Sequence, residues 1–175
     1  MNVENLFASF KHALGGAYLG DRTIERTVGT IDPGKVYDLW ITVERDSFHN
    51  AVAHLCTEYT PHLSVISGDD LGENVALNYH FTVGWGERYG EATFTIRTML
   101  PKSDLSIPTI TDLLAGAQTS EREKIEFYGI DVVGIPDSRN LFLPEGATIH
   151  PWRKDLEEET AKEVKRMVKW EGRNE

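Results

Sequence analysis

The densest chemistry in this chain lies in eleven residues, Glu121-Arg122-Glu123-Lys124-Ile125-Glu126-Phe127-Tyr128-Gly129-Ile130-Asp131. Four of them are carboxylates, and carboxylates at close spacing can serve as general acid and base. On a helix, Arg122 and Glu126 stand one turn apart and share a face, which equally describes a solvated, ion-paired surface helix. A third arrangement fits the neighbourhood better. Arg122, Arg139, Arg153 and Lys154 lie among Phe127, Tyr128, Phe142 and Trp152, and arginine with aromatic side chains is the composition of protein–protein hot spots.

Other reactive residue types carry less. His54 and Cys56 are two apart on an expected helix and diverge by about 200°, while Cys56 adjoins Leu55 and reads as a small apolar residue. His80 stands on the polar side of an alternating strand, with no second histidine at ligand spacing. Gly84-Trp85-Gly86 lacks the strand–helix setting of a phosphate loop and reads as a turn. One cysteine in 175 residues excludes an intrachain disulfide, a Cys-only zinc site and a self-contained iron–sulfur cluster. Eighteen basic against twenty-eight acidic side chains leave a net charge of −10. That balance argues against nucleic acid and against direct docking on anionic lipid. No apolar run is long enough to span a membrane. Met1-Asn2-Val3-Glu4 lacks the basic start of a secretory signal, and a lone thiol suits a reducing cytoplasm.

These residues need elements to hold them. Val3, Leu6, Phe7, Phe10 and Leu14 recur at helical spacing, with Gly15-Gly16 as a stop. Thr23 to Thr30 and the alternation Tyr37, Leu39, Ile41, Val43 flank Asp32-Pro33-Gly34-Lys35, a β-hairpin turn. Asp46 or Ser47 caps a second helix with the stripe Phe48, Ala51, Val52, Leu55 and Tyr59, which Pro61 ends. Leu63 to Ser67 is a short strand, and Gly68-Asp69-Asp70 through Gly72 a loop. Val75, Leu77, Tyr79, Phe81 and Val83 alternate with polar neighbours, as do Ala92, Phe94, Ile96 and Thr98. The expectation is an α+β fold, a mainly antiparallel sheet with helices on one face, over residues 1–103. Residues 104–155 are punctuated by proline and glycine and form an irregular docking segment, with one helix within 111–128. Residues 156–175 form a helical arm with a narrow stripe of Leu156, Val164, Met167 and Val168.

Five blocks in this second half follow one order: Ile107-Pro108-Thr109-Ile110-Thr111, Glu121-Arg122-Glu123, Gly129-Ile130, Gly134-x-Pro136-Asp137-x-Arg139 and Arg153-Lys154-Asp155. Together they resemble the 30 kDa subunit family of respiratory complex I, the NADH dehydrogenase of respiratory chains. Relatives of that family include the corresponding hydrophilic subunits of membrane-bound nickel–iron hydrogenases. Glu126 replaces the usual aspartate, Ile135 a histidine and Ser138 a leucine, and the chain is short, which points to the hydrogenase-type branch.

The resemblance implies a non-catalytic structural subunit of a membrane-bound, ion-translocating oxidoreductase, with a subunit of an NADH- or ferredoxin:quinone complex I as the alternative. It implies no cofactor on this chain, and a nickel–iron centre and iron–sulfur clusters on partner subunits. The partners are a hydrogenase-like large subunit and iron–sulfur subunits, with no nucleic acid and no direct membrane insertion. The place is peripheral, on the cytoplasmic side of the membrane. Expected interface residues are Glu121, Arg122, Glu123, Tyr128, Gly129, Pro136, Asp137, Arg139, Trp152, Arg153, Lys154 and Asp155. Arg122, Arg139 and Arg153 would pair with carboxylates of the large subunit or within the segment. The rival from another class is a stand-alone acid/base enzyme using Glu121, Glu123 and Glu126, which requires an open pocket around them.

Overall fold

Helical spacing at the start of the chain becomes α1 (Val3–Leu14), whose Leu6, Phe7 and Phe10 are buried. The computed structural model describes residues 3–86, 90–144, 146–147, 149–155 and 162. A hairpin follows, β1 (Tyr18–Val28) with β2 (Gly34–Val43), paired antiparallel across the expected turn. α2 (Phe48–Glu58) begins after Ser47, whose side chain makes no capping bond, and buries Phe48, Ala51, Val52 and Leu55. Then come β3 (His62–Asp70), β4 (Asn74–Val83) and β5 (Ala92–Pro101) as an antiparallel meander. The sheet order is β1-β2-β5-β4-β3.

The architecture is the expected one, helices on one face of a mostly antiparallel sheet, with three departures. β5 runs parallel to β2, Tyr37 facing Ala92 and Thr42 facing Arg97. The chain leaves β2, crosses through α2 to the far edge and returns by the meander, so β5 arrives in the same direction as β2. β3 reaches Asp70, so Gly68, Asp69 and Asp70 belong to the strand and not to a loop. The segment after residue 104 holds a small parallel pair, β6 (Ser106–Pro108) with β7 (Asp131–Val133), and its helix α3 begins only at Ala117 and ends at Tyr128.

The inner face carries the core. Phe10 packs on Phe94, and Phe48 on Tyr79, at ring-centroid distances of 5.0 and 4.5 Å. Leu39, Ile41, Phe81 and Ile96 are fully buried among them, and each such side chain contributes roughly 1.5–3 kcal/mol of hydrophobic stabilisation. Cys56 packs against this core. Burial pushes its thiol pKa up, which lowers its thiolate fraction. His54 accepts or donates to Ser9 Oγ at 2.7 Å and packs edge-on to Phe10.

The outer face is built differently. One row across all five strands reads Arg22, Trp40, Thr95, His80, Val65, and the next Gly20, Thr42, Arg97, Asn78, Ser67. His80 bonds Ser67 Oγ and Thr95 Oγ1, both at 2.9 Å, with the edge of Trp40 against its ring. Burial lowers the His80 pKa, which favours the neutral ring that these two hydroxyls complete. It is thus an internal strut of the sheet surface.

Candidate interaction surface

An irregular segment has no ladder to absorb its backbone polar groups, and unpaired buried N–H groups are costly. Here side chains of α3 and β3 absorb several of them. Glu121, fully buried, accepts from the Ile110 N–H at 2.9 Å and the Thr109 hydroxyl at 2.6 Å. Glu126 accepts from three successive backbone N–H groups, those of Leu141, Phe142 and Leu143. Arg122 does the converse, donating from Nε to the Arg139 carbonyl at 2.7 Å and from Nη2 to the Asn140 carbonyl at 3.0 Å. The glutamate–arginine–glutamate block therefore folds the segment around its own helix.

The i, i+4 ion pair between Arg122 and Glu126 is absent, because each spends its charge on backbone 15 to 18 residues away. Burial raises the Glu121 pKa against its two donors. Lys124, also buried, has its pKa lowered by burial despite its bond to Glu123 Oε2 at 3.1 Å, and its ammonium lies over the Trp152 ring.

The end of α3 is closed by Gly129 at φ +70°, a left-handed conformation that terminates helices. A Cβ there would also stand 2.6 Å from the His150 ring. His150 Nδ1 in turn donates to the Glu126 carbonyl, and the Trp152 N–H to the Phe127 carbonyl. Gly129→Ala is expected to cost about 1–2 kcal/mol from the backbone alone, and more as His150 is displaced, measurable by denaturant unfolding. Tyr128 reaches the other way. Its hydroxyl donates to the Gly68 carbonyl at 2.5 Å, and its ring occupies the place of a Cβ at Gly68.

The last block is anchored to the sheet. Asp70, buried at the end of β3, accepts from Lys102 Nζ at 2.8 Å, the Lys154 N–H at 2.7 Å and the Gly72 N–H at 2.9 Å. Lys102 also pairs with Asp155 at 3.3 Å, and Arg153 clasps Asp155 with two bonds. Burial pushes the Asp70 carboxyl up, but Lys102 and the two N–H groups outweigh it and its pKa lies below the ordinary value. A depressed carboxylate contributes stability above its unfolded pKa of about 3.9, lost as pH falls through the folded value. Melting temperature is therefore expected to fall below about pH 4, and Asp70→Asn to flatten that fall.

With these groups satisfied inside, the segment offers an aromatic ledge outward. Phe127 stacks between Phe142 and Trp152 at 5.8 and 4.3 Å. Phe142 is 73% exposed and Trp152 43%. Beside the ledge is a cleft of about 540 Å³, lined by Arg122, Ser138, Arg139, Asn140, Leu143 and Gly146. Asp137 pairs with both Arg139 and Arg122, at 2.8 and 3.4 Å, and Arg139 keeps 84% of its side chain exposed.

Of the expected interface residues, the structure gathers Arg122, Asp137 and Arg139 at the cleft. Tyr128, Gly129 and Trp152 meet at the end of α3, and Arg153, Lys154 and Asp155 at the Asp70 anchor. Pro136 lies in the loop that follows β7. Glu121 faces inward and holds the segment, and Glu123 faces Lys124. All three pairings of the arginines and aspartates are local. No glutamate lines this cleft, and Glu121 and Glu126 are buried against the backbone groups they accept from, not presented together to a substrate. Asp70 and Lys102 were not legible as site residues, since Asp70 lies 84 positions from Lys154. The arm over 156–175, Lys162 apart, lies outside the described residues.

NADH-quinone oxidoreductase subunit 5 of Thermus thermophilus is 32% identical over 134 residues, 71% of this chain and 64% of that protein. The chain thus spans less than two thirds of that relative. The membrane-bound hydrogenase subunit beta of Pyrococcus furiosus is 28% identical over 121 residues, 67% of this chain and 69% of that one. A chain in the structure of the membrane-bound sulfane sulfur reductase, an archaeal respiratory membrane complex, shares the fold. Its TM-score is 0.67 at 16% identity, covering 98% of this chain and 95% of the other. No helix among the described residues is long and apolar enough to cross a membrane. Residues 41–162 match the family described as respiratory-chain NADH dehydrogenase, 30 Kd subunit, and the chain belongs to it.

Proposed function

We propose that this chain is a non-catalytic structural subunit of a membrane-bound, ion-translocating oxidoreductase of the hydrogenase type related to complex I. Residues 1–103 form its scaffold, and 104–155 dock on the large catalytic subunit. The observation that carries this reading is the segment's economy. Arg122 and Glu126 satisfy the backbone groups of residues 139–143 from within, while Phe142, Trp152 and Arg139 are left facing out. A prefolded surface of aromatic side chains and arginine supplies binding energy without an ordering cost at the moment of assembly. The chain holds no electron carrier in this reading. The nickel–iron centre and iron–sulfur clusters reside on the large subunit and its iron–sulfur neighbours, and the complex sits on the cytoplasmic side of the membrane. The match to NADH-quinone oxidoreductase subunits keeps a quinone-reducing complex I as the second reading.

Affinity purification of the tagged chain from native membranes, followed by mass spectrometry, tests this. The expected set contains a hydrogenase-like large subunit and iron–sulfur subunits in comparable amounts. Two Cys-x-x-Cys pairs in the large subunit identify the hydrogenase branch, and their absence the quinone branch. Recovery of the chain without any oxidoreductase subunit would overturn the reading.

A further inference from the structure

The docking segment accounts for one end of the molecule and leaves the outer face of the sheet without a role. α1 and α2 pack on the inner face, and Tyr128 of α3 packs against the inner position Gly68. The outer face is no ordinary solvated surface. Its two central rows hold Arg22, Arg97, Trp40 and His80 and not one carboxylate, in a chain whose net charge is −10. Of the adjoining rows, one holds Asp38, neutralised by Arg26 at 2.9 Å, and the other holds Asp69 out on the edge strand β3. Val65 stands 47% exposed at the margin. Asn78 Oδ1, in the row of Arg97, is buried and accepts no hydrogen bond among the described residues.

We infer that this face is a second docking surface, and that its occupant is a carboxylate-bearing surface of another protein subunit of the complex. The inference rests on the chain being a complex subunit, as proposed above. Three observations fit a protein occupant. Tryptophan and arginine are the side chains that dominate interface energetics. The two guanidinium groups, with no carboxylate in their own rows, make a local positive field, and complementary charge steers and orients partners. Five strands about 4.8 Å apart and ten residues long outline a face of roughly 600 Å², broad enough for a protein surface to lie on, with Thr95 and Asn78 buried within it and Val65 open at its margin. A polyanion such as nucleic acid would meet the repulsion of the remaining acidic chain. The subunit then bridges two neighbours, the large subunit at the ledge and an acidic subunit at the sheet.

The test is the double charge reversal Arg22→Glu/Arg97→Glu, introduced into the complex and purified from membranes. The expected result is loss of one neighbouring subunit by at least tenfold while the large subunit stays bound, with Arg22→Lys/Arg97→Lys retaining both. Full recovery of every subunit with the reversal would overturn the inference and leave the docking segment's role intact. Failure of even the unmodified chain to bring down subunits would instead overturn the function proposed above. A second measurement needs no charge change. Val65→Cys in a Cys56→Ala background is expected to react with a maleimide in the isolated chain and at least tenfold more slowly in the complex. Equal reactivity in both, or protection already in the isolated chain, would overturn the inference. So would binding of a single-stranded oligonucleotide that the reversal abolishes.

Discussion

Replacing Glu126 with alanine is expected to lower stability by about 3–5 kcal/mol, among the largest effects of any single substitution outside the core. The N–H groups of Leu141, Phe142 and Leu143 all converge on this one carboxylate. Each buried donor left without a partner costs about 1–3 kcal/mol, and water can reach this half-buried loop to recover part of that. Glu126→Gln keeps one acceptor oxygen and is expected to cost about 1–2 kcal/mol by the same reasoning. Denaturant unfolding gives both numbers, and amide exchange locates them. The three amides should lose protection in the alanine variant while the sheet keeps its own. Since the loop presents Phe142, the variant should also assemble poorly, through a misplaced ledge and not through a lost contact.

Asp70→Ala is the second large effect, expected at about 3 kcal/mol, because it leaves two backbone donors unpartnered at a buried site and Lys102 with only its longer contact to Asp155. The control is compensatory. Asp70→Leu with Lys102→Met removes both charges, and a buried ion pair replaced by apolar side chains is often nearly neutral. The double variant should therefore be more stable than Asp70→Ala alone. Its segment 150–155 should still be loosened, because the Lys154 N–H has lost its acceptor. Limited proteolysis after residue 149 reads that out separately from global unfolding.

How much of this was legible in the sequence follows from where each constraint originates. β4 could be read because Val75, Leu77, Tyr79, Phe81 and Val83 meet a continuous core, and alternation records that directly. β3 was cut short because glycine and aspartate favour turns locally. Gly68 is there to admit the Tyr128 ring, and Asp70 to receive Lys102 and Lys154. Both reasons are distant in sequence. The parallel pairing of β2 with β5 is a matter of topology, which strand composition does not record. The cluster around α3 was visible as chemistry, and the arginine-and-aromatic reading named side chains that the fold brings together, Phe127 with Phe142 and Trp152. What it could not show is that Glu121, Arg122 and Glu126 bind backbone and not one another, since i, i+4 geometry predicts a pair whose two members are already engaged.

The arginines also separate into different tasks. Arg122 ties two carbonyls and is a strut of the segment, so its loss should loosen the segment before it weakens docking. Arg139 is held by Asp137 at its base and open at its surface. Phe142 is the cleaner probe of docking, because it is largely exposed while the backbone beneath it is held by Glu126.

The most direct test of the central claim is therefore Phe142→Ser in the native complex, with the melting temperature of the isolated chain measured alongside. The account predicts an isolated chain that melts within a few degrees of the unmodified one and a membrane complex from which the large subunit is lost on purification. A complex recovered with its full set of subunits and undiminished turnover would contradict it.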